Sequence, residues 1–303
     1  MKTKFFFVAC FSLIAGVVMA QKPIPGQYIV ILKETAAKPV IKDQKKNNNR
    51  EQKASMNSQA REKNNAKIKE IQTRGKIKST AVLNQFADVL VGFTAKLSAD
   101  EKKALVSDND VAEVVQDYYV EIGPDKTEPN PSDVGSVSDE MDHNHANDVT
   151  QRLTGPNSGH VAVDNLYVRY DANTGLQAQV TPCGITKAGG FVDGSAKGTW
   201  IWILDTGIDT DHPDLNVNTS STFAKSFIAG ETFEDGHGHG THCAGTAAAK
   251  NNSIGVVGVS AGARVVPVKV LSNSGTGSWS ALLSGLNHVA MYDIPGDVVS
   301  MSL

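Results

Sequence analysis

Two strings hold the reactive side chains of this 303-residue sequence: Ile203-Leu204-Asp205-Thr206-Gly207, and, thirty positions after Asp205, Asp235-Gly236-His237-Gly238-His239-Gly240-Thr241-His242-Cys243. A carboxylate beside an imidazole can fix the imidazole's tautomer and stabilise the imidazolium formed when it takes a proton. On that reading Asp205 orients and His239 acts as general base. Other readings fit fragments only. Asp205-Thr206-Gly207 suits a peptidase loop in which two carboxylates share a proton, but the sequence has no second Asp-Thr-Gly or Asp-Ser-Gly. His237, His239 and His242 with Asp235 are spaced to reach one Zn²⁺, yet the metallohydrolase pattern wants an acid where Thr241 stands. His237 and His242 are therefore expected to be loop and core histidines.

The elements that must hold this pair are legible nearby. Trp200-Ile201-Trp202-Ile203-Leu204 is a short apolar run bounded by Gly198 and Gly207, which predicts a buried strand with Asp205 at its carboxyl end. Open α/β sheets collect their chemistry at such ends. Residues 241–250 are small and alanine-rich, as a helix packed closely on a sheet requires, with His239 at its start. Cys243 follows His239 by four and shares its face. A second strand is expected over residues 264–271, then glycine-bearing residues 274–277 and a helix over residues 279–292.

Six segments in order, QVTPCGI, WIWILDTGIDTDHPDL, DGHGHGTHCAGT, KNNSIGVVGV, VPVKVL and GDVVSMSL, closely resemble the subtilase family of serine peptidases between Gln179 and Leu303, and HGTHCAGT points to its proteinase K-like branch. The resemblance implies an α/β fold: the N-terminal half of a three-layer α/β/α domain with a mostly parallel sheet. It gives Asp205 and His239 their triad roles. Gly275, Thr276 and Gly277 become one wall of the substrate cleft, Trp279 a limit of one pocket, and Ser302 with Leu303 the start of the opposite wall. It also implies a structural Ca²⁺ held by the side chains of Gln179, Asp214 and Asn252 and the backbone oxygens of Lys250, Ile254 and Val256, an all-oxygen set suited to that ion. Cys183 and Cys243 become two separate thiols. The asparagine and serine that complete the family's machinery are not among these residues, since Ser260, Ser280 and Ser300 lack the glycine-rich helix-start context. The chain by itself is expected to be inactive, either an incomplete endopeptidase precursor or a truncated product that inhibits or binds peptides.

Residues 21–122 carry 18 basic and 13 acidic side chains. Strand-like runs over residues 28–32, 89–94 and 111–116 alternate with a polar stretch, residues 47–72, read as a long and mostly solvated helix, and with a helix through Val106 opened by the capping box Ser98-x-x-Glu101. GQYIVIL and VLVGFTAKLSADEKKALVSDNDVAEVVQD resemble the inhibitor-type propeptide of subtilases, a small α+β domain that packs on its peptidase in cis. Residues 123–177 hold nine acidic and three basic side chains and read as an acidic linker or insertion, flexible in its first part, with a strand near residues 161–170. The catalytic portion is expected over residues 178–303.

Residues 1–20 show two lysines, an apolar run and small residues before a cleavage point, the pattern of a secretory leader. Secretion follows as the expectation. A net charge of −3 without a basic stripe argues against nucleic acid as partner. Neither the leader's apolar run nor any other segment reaches membrane-spanning length, and a monomer acting on polypeptides is expected.

Overall fold

The computed structural model describes residues 22–40, 49–122 and 179–303. The leader and the acidic linker expected from the sequence lie outside them. In chain order the strands are β1 (Pro23–Leu32), β2 (Val82–Phe86), β3 (Gly92–Lys96), β4 (Val111–Glu121), β5 (Val192–Asp193), β6 (Trp200–Asp205), β7 (Asn216–Val217), β8 (Lys225–Ser226), β9 (Ser260–Ala261), β10 (Arg264–Lys269), β11 (Thr276–Ser278) and β12 (Val298–Ser300). The helices are α1 (Arg50–Met56), α2 (Ser58–Arg74), α3 (Ala99–Val106), α4 (Cys183–Lys187), α5 (His239–Ala248) and α6 (Trp279–Tyr292).

The C-terminal part is built on the parallel sheet β12-β6-β10-β7, with β8 also pairing β10. Both faces of β6 are covered, which is why its sequence reads as a continuous apolar run. Trp202 and Leu204 pack with Val266, Val268, Leu282 and Val289 under α6. Ile203 turns the other way, toward Val265, Ala244 and Ala248 under α5. Helix, sheet and helix make the three layers expected. Alternation along one strand thus feeds two cores and leaves Asp205 at the strand end, fully buried.

The N-terminal part is an antiparallel sheet, β2-β3-β1-β4, backed by α2 and α3 around a core of Val30, Ile68, Ile71, Phe93 and Leu105. The capping box forms as read: Ser98 accepts from the Glu101 N–H and the Glu101 carboxylate accepts from the Ser98 N–H. Three expectations need correction. The strand placed over residues 89–94 begins at Gly92, where any side chain would strike the Val30 carbonyl oxygen. β2 has no counterpart in the sequence reading, because Asn84 and Gln85 interrupt its apolar pattern. The long helix is two helices meeting at Asn57; most of it is solvated as read, but Arg50, Lys53, Arg61 and Asn64 are buried through polar partners that hydropathy does not register.

The two parts share a sheet. β11 pairs antiparallel with β4, Thr276 opposite Glu121, Gly277 opposite Val120 and Ser278 opposite Tyr119.

Candidate active site

β6 delivers Asp205 into the interior, and the turn after it brings the chain against the start of α5. His239 Nδ1 lies 2.8 Å from Asp205 Oδ1, which also accepts the Thr206 N–H at 2.7 Å. Asp205 Oδ2 is buried with no hydrogen-bond partner. A buried carboxylate so poorly satisfied gains from a positive neighbour, and a protonated His239 supplies one. With Nδ1 turned to Asp205, Nε2 is the atom left to exchange protons, and the His239 side chain is 27% exposed.

Close approach of α5 to β6 depends on glycine. A side chain at Gly240 would meet the Gly207 carbonyl oxygen at 2.1 Å and the Asp205 side chain at 3.1 Å. Gly238 enters the helix with φ of +97°, a left-handed conformation that glycine adopts without strain. The first amides of α5 are met from outside the helix: Gly240 donates to Thr206 Oγ1 at 2.9 Å and Thr241 to Asp235 Oδ2 at 2.9 Å. Asp235 also accepts from Thr206 Oγ1, the Thr241 hydroxyl and the amides of His237 and Gly238. Burial pushes the Asp235 carboxyl up, but these donors outweigh it and hold the group below the usual carboxylate range. An anion fixed at a helix N-terminus is favourable on its own account.

Lys269, fully buried at the end of β10, completes the frame. Its ammonium donates to the Thr206 carbonyl and to Asn273 Oδ1 at 2.8 Å and lies 3.3 Å from Glu231. Asn273 Oδ1 in turn accepts the Gly236 N–H. One lysine therefore ties the turn after Asp205 to the loop before His239. The sequence reading passed over Lys269, for which a lone lysine inside the apolar run VPVKVL was the available signal, and met Asp235 only in the zinc alternative, not as the anchor of the helix start.

Cys243 lies beside the pair, its sulfur 3.9 Å from His239 Nδ1, and burial first, then the neighbouring carboxylates, push its thiol up despite a hydrogen bond with Ser302. Among the described residues, Asp205, His239 and Cys243 are the group of metal-ligating types whose atoms converge, within 4.8 Å; His237 and His242 are not part of it. Cys183 is exposed, and both cysteines are free thiols.

The residues read as a cleft wall sit at an interface. The Ile122 N–H donates to the Gly275 carbonyl at 3.0 Å, extending the β4–β11 ladder past Glu121. Gly277 admits no side chain, because a Cβ there would meet the Val270 carbonyl oxygen at 2.2 Å. Trp279 opens α6 and is 38% exposed. Ser302 and Leu303 follow β12 as exposed coil, Ser302 within reach of Cys243.

The six residues read as a calcium set do converge. Asp214, 3% exposed, accepts from Asn252 Nδ2 at 2.8 Å and from the Val256 N–H at 3.2 Å. Gln179 Nε2 donates to the Lys250 carbonyl, and the Val256 strand bridges to Val180. The Ile254 N–H closes the loop onto Asn252 Oδ1. Burial pushes the Asp214 carboxyl above its ordinary value, which these bonds only partly oppose. The groups these residues carry, a buried carboxylate, side-chain amides and backbone carbonyls with no thiol or imidazole, are of the type that suits a hard divalent cation.

Comparison with known proteins places this geometry. Residues 196–303 match the Subtilase family and residues 27–123 match Peptidase inhibitor I9. Subtilisin J of Geobacillus stearothermophilus is 40% identical over 146 residues, 45% of this chain and 36% of its own. The cuticle-degrading protease of Metarhizium anisopliae is 43% identical over 118 residues, covering 37% and 28%, and an alkaline protease of Shouchella clausii is 46% identical over 125 residues, covering 40% and 32%. The chain thus spans about a third of the length of the curated relatives it matches. The chain therefore carries an inhibitor I9 domain over residues 27–123 followed by a subtilase domain over residues 196–303.

Proposed function

We propose that these residues belong to the precursor of a secreted subtilisin-like serine endopeptidase, with residues 21–122 as a propeptide that occupies the cleft in cis. The observation that carries this reading is the 2.8 Å contact of His239 Nδ1 with fully buried Asp205, beside a cleft wall already paired to β4. His239 Nε2 takes the hydroxyl proton of a serine as its oxygen adds to the scissile carbonyl, and Asp205 stabilises the resulting imidazolium. Collapse of the tetrahedral adduct passes that proton to the leaving amine. Water then repeats the exchange to free the acyl group. The serine and the oxyanion-binding asparagine that this chemistry needs are not assigned to any residue of this sequence.

β11 gives the cleft its means of holding an extended peptide, by main-chain hydrogen bonds that need no particular side chain. β4 and Ile122 use those groups in this structure. The Gln179, Asp214, Lys250, Asn252, Ile254 and Val256 cluster is read as the holder of a structural Ca²⁺. Bound only by the folded domain, the ion would stabilise it by mass action. Among the described residues no helix is long and apolar enough to cross a membrane.

The test is His239→Ala in the full-length precursor, followed by intact mass and by hydrolysis of a peptide substrate. Loss of both self-cleavage and hydrolysis is expected. Hydrolysis within tenfold of wild type would overturn the reading.

A further inference from the structure

α1 lies outside the cleft, yet it carries the most buried cations at the boundary between the two domains. Arg50 is 7% exposed and Lys53 6%, which such residues tolerate only when paired. The Arg50 guanidinium forks onto the Asp297 carboxylate, Nη2 to Oδ1 at 2.8 Å and Nη1 to Oδ2. Nη1 also donates to the Tyr292 carbonyl at 3.3 Å, and the guanidinium carbon stands 3.6 Å from the centre of the Trp200 ring. Lys53 donates to the Asp293 carbonyl at 2.8 Å and to its carboxylate.

The receiving group is built by the subtilase domain alone. Asp297 Oδ1 accepts the Trp200 N–H at 2.9 Å, and Oδ2 accepts the Trp202 indole at 2.9 Å and the Ile294 N–H at 3.2 Å. Those bonds fix the carboxylate beside the Trp200 ring whether or not Arg50 is present. A planar cation that can both fork and stack is what this arrangement accepts, so it selects guanidinium over ammonium. Arg50 is the first residue of α1, behind the Asn49 cap. A cation there opposes the helix dipole, so its placement makes sense through Asp297 and not through α1.

The socket is remote from the chemistry. Trp200 begins β6 and Asp205 ends it, which at the rise of a strand separates them by roughly 17 Å. α6 joins the two ends: Asp117 of β4 accepts the Ser280 N–H at its start, and Arg50 and Lys53 bind at its finish.

We propose that Trp200, Tyr292, Asp293 and Asp297 form a second docking site of the subtilase domain, a guanidinium socket whose occupant is Arg50 of the inhibitor domain, and that this anchor delays the inhibitor's departure after the cleft strand has been cut. The delay rests on the precursor reading above; the socket does not.

Arg50→Lys and Arg50→Ala, with exposed Glu51→Gln as control, test both parts in the full-length precursor. Hydrogen exchange is read over residues 51–56 and 276–278, together with the lag between propeptide cleavage and full peptidase activity. Both Arg50 variants are expected to speed exchange at 51–56 at least tenfold, leave 276–278 slow, and shorten the lag at least tenfold with mature kcat/KM unchanged. Glu51→Gln should change nothing. Unchanged exchange at 51–56 overturns the socket, and an unchanged lag with faster exchange overturns the delay. A wild-type precursor that never becomes active overturns the endopeptidase reading instead, while exchange at 51–56 still decides the socket. If Arg50→Ala does not fold, Arg50→Lys, which keeps the charge and loses the fork, decides it.

Discussion

At the cleft end of α6 the inhibitor domain meets the subtilase domain mainly through the β4–β11 backbone ladder, joined by the Asp117 carboxylate on the Ser280 N–H, and at the far end through the side chains of Arg50 and Lys53. Gly275, Thr276, Gly277 and Ser278 present a strand edge that any extended segment can pair with, whereas Asp297 and Trp200 accept a guanidinium and little else. The first kind of contact suits a site that must process many sequences. The second suits recognition of one partner. A domain boundary that combines them can stay occupied by its own inhibitor while keeping a cleft with loose sequence demands.

Asp205→Asn should break the cleft end most severely. It keeps the shape but loses the charge that orients His239, so kcat is expected to fall by about 10⁴. Docking of α1 should not change, as read by exchange at residues 51–56. Loss of both together would mean that the two ends are not independent.

At the far end, removing one member of a buried ion pair costs about 3–5 kcal/mol, the upper limit expected for Arg50→Ala because Asp297 keeps three neutral donors. Hydrogen bonds from Arg50, Trp202 and Trp200 outweigh burial and hold the Asp297 carboxyl below its ordinary value. A carboxyl lowered in the folded state adds stability above its unfolded value and loses it as pH falls through the lowered one. Exchange at 51–56 should therefore stay slow at neutral pH and accelerate only below the normal carboxylate range. Acceleration near pH 6 would contradict this assignment.

The cluster proposed to hold Ca²⁺ offers a way to separate subtilase-domain stability from either contact. Asp214 is shifted up by burial, so without a cation the folded state holds its proton more tightly than the unfolded state, and its contribution worsens as pH rises through the carboxylate range. Added Ca²⁺ at 100 times its dissociation constant should restore about 2.7 kcal/mol at neutral pH. Thermal unfolding with and without chelator checks this, and Asp214→Asn should abolish the difference. A chelator effect that survives Asp214→Asn would place the ion elsewhere.

What the sequence made legible follows the same division. The strand ending at Asp205, the helix beginning at His239 and the helix Trp279–Tyr292 were readable because apolar periodicity and glycine placement are local signals. The grouping of Gln179 with Asp214 and Asn252 came only through resemblance, since Gln179 and Asn252 are far apart in the chain. The far-end contacts were not readable. Arg50 and Lys53 sit in a polar, charged stretch whose composition indicates solvent, and their partners lie more than 200 positions away. Buried cations with distant partners leave no periodic trace, whether across the domain boundary or inside one domain, as in the pairing of Arg61 with Asp88.

The smallest expected effect tests the backbone side of the comparison. Glu121 pairs with Thr276 through main chain, while its side chain is 52% exposed and lies 3.9 Å from an exposed Lys22. Surface pairs of that kind contribute little, so Glu121→Gln should change exchange at residues 276–278 by less than about twofold. Replacing Gly277 instead attacks the edge itself, because a Cβ cannot fit against the Val270 carbonyl, and Gly277→Ala should speed exchange across 119–122 while 51–56 stays slow. If Glu121→Gln proved as damaging as Gly277→Ala, the cleft would be reading side chains, and the contrast between a permissive edge and a selective socket would fail.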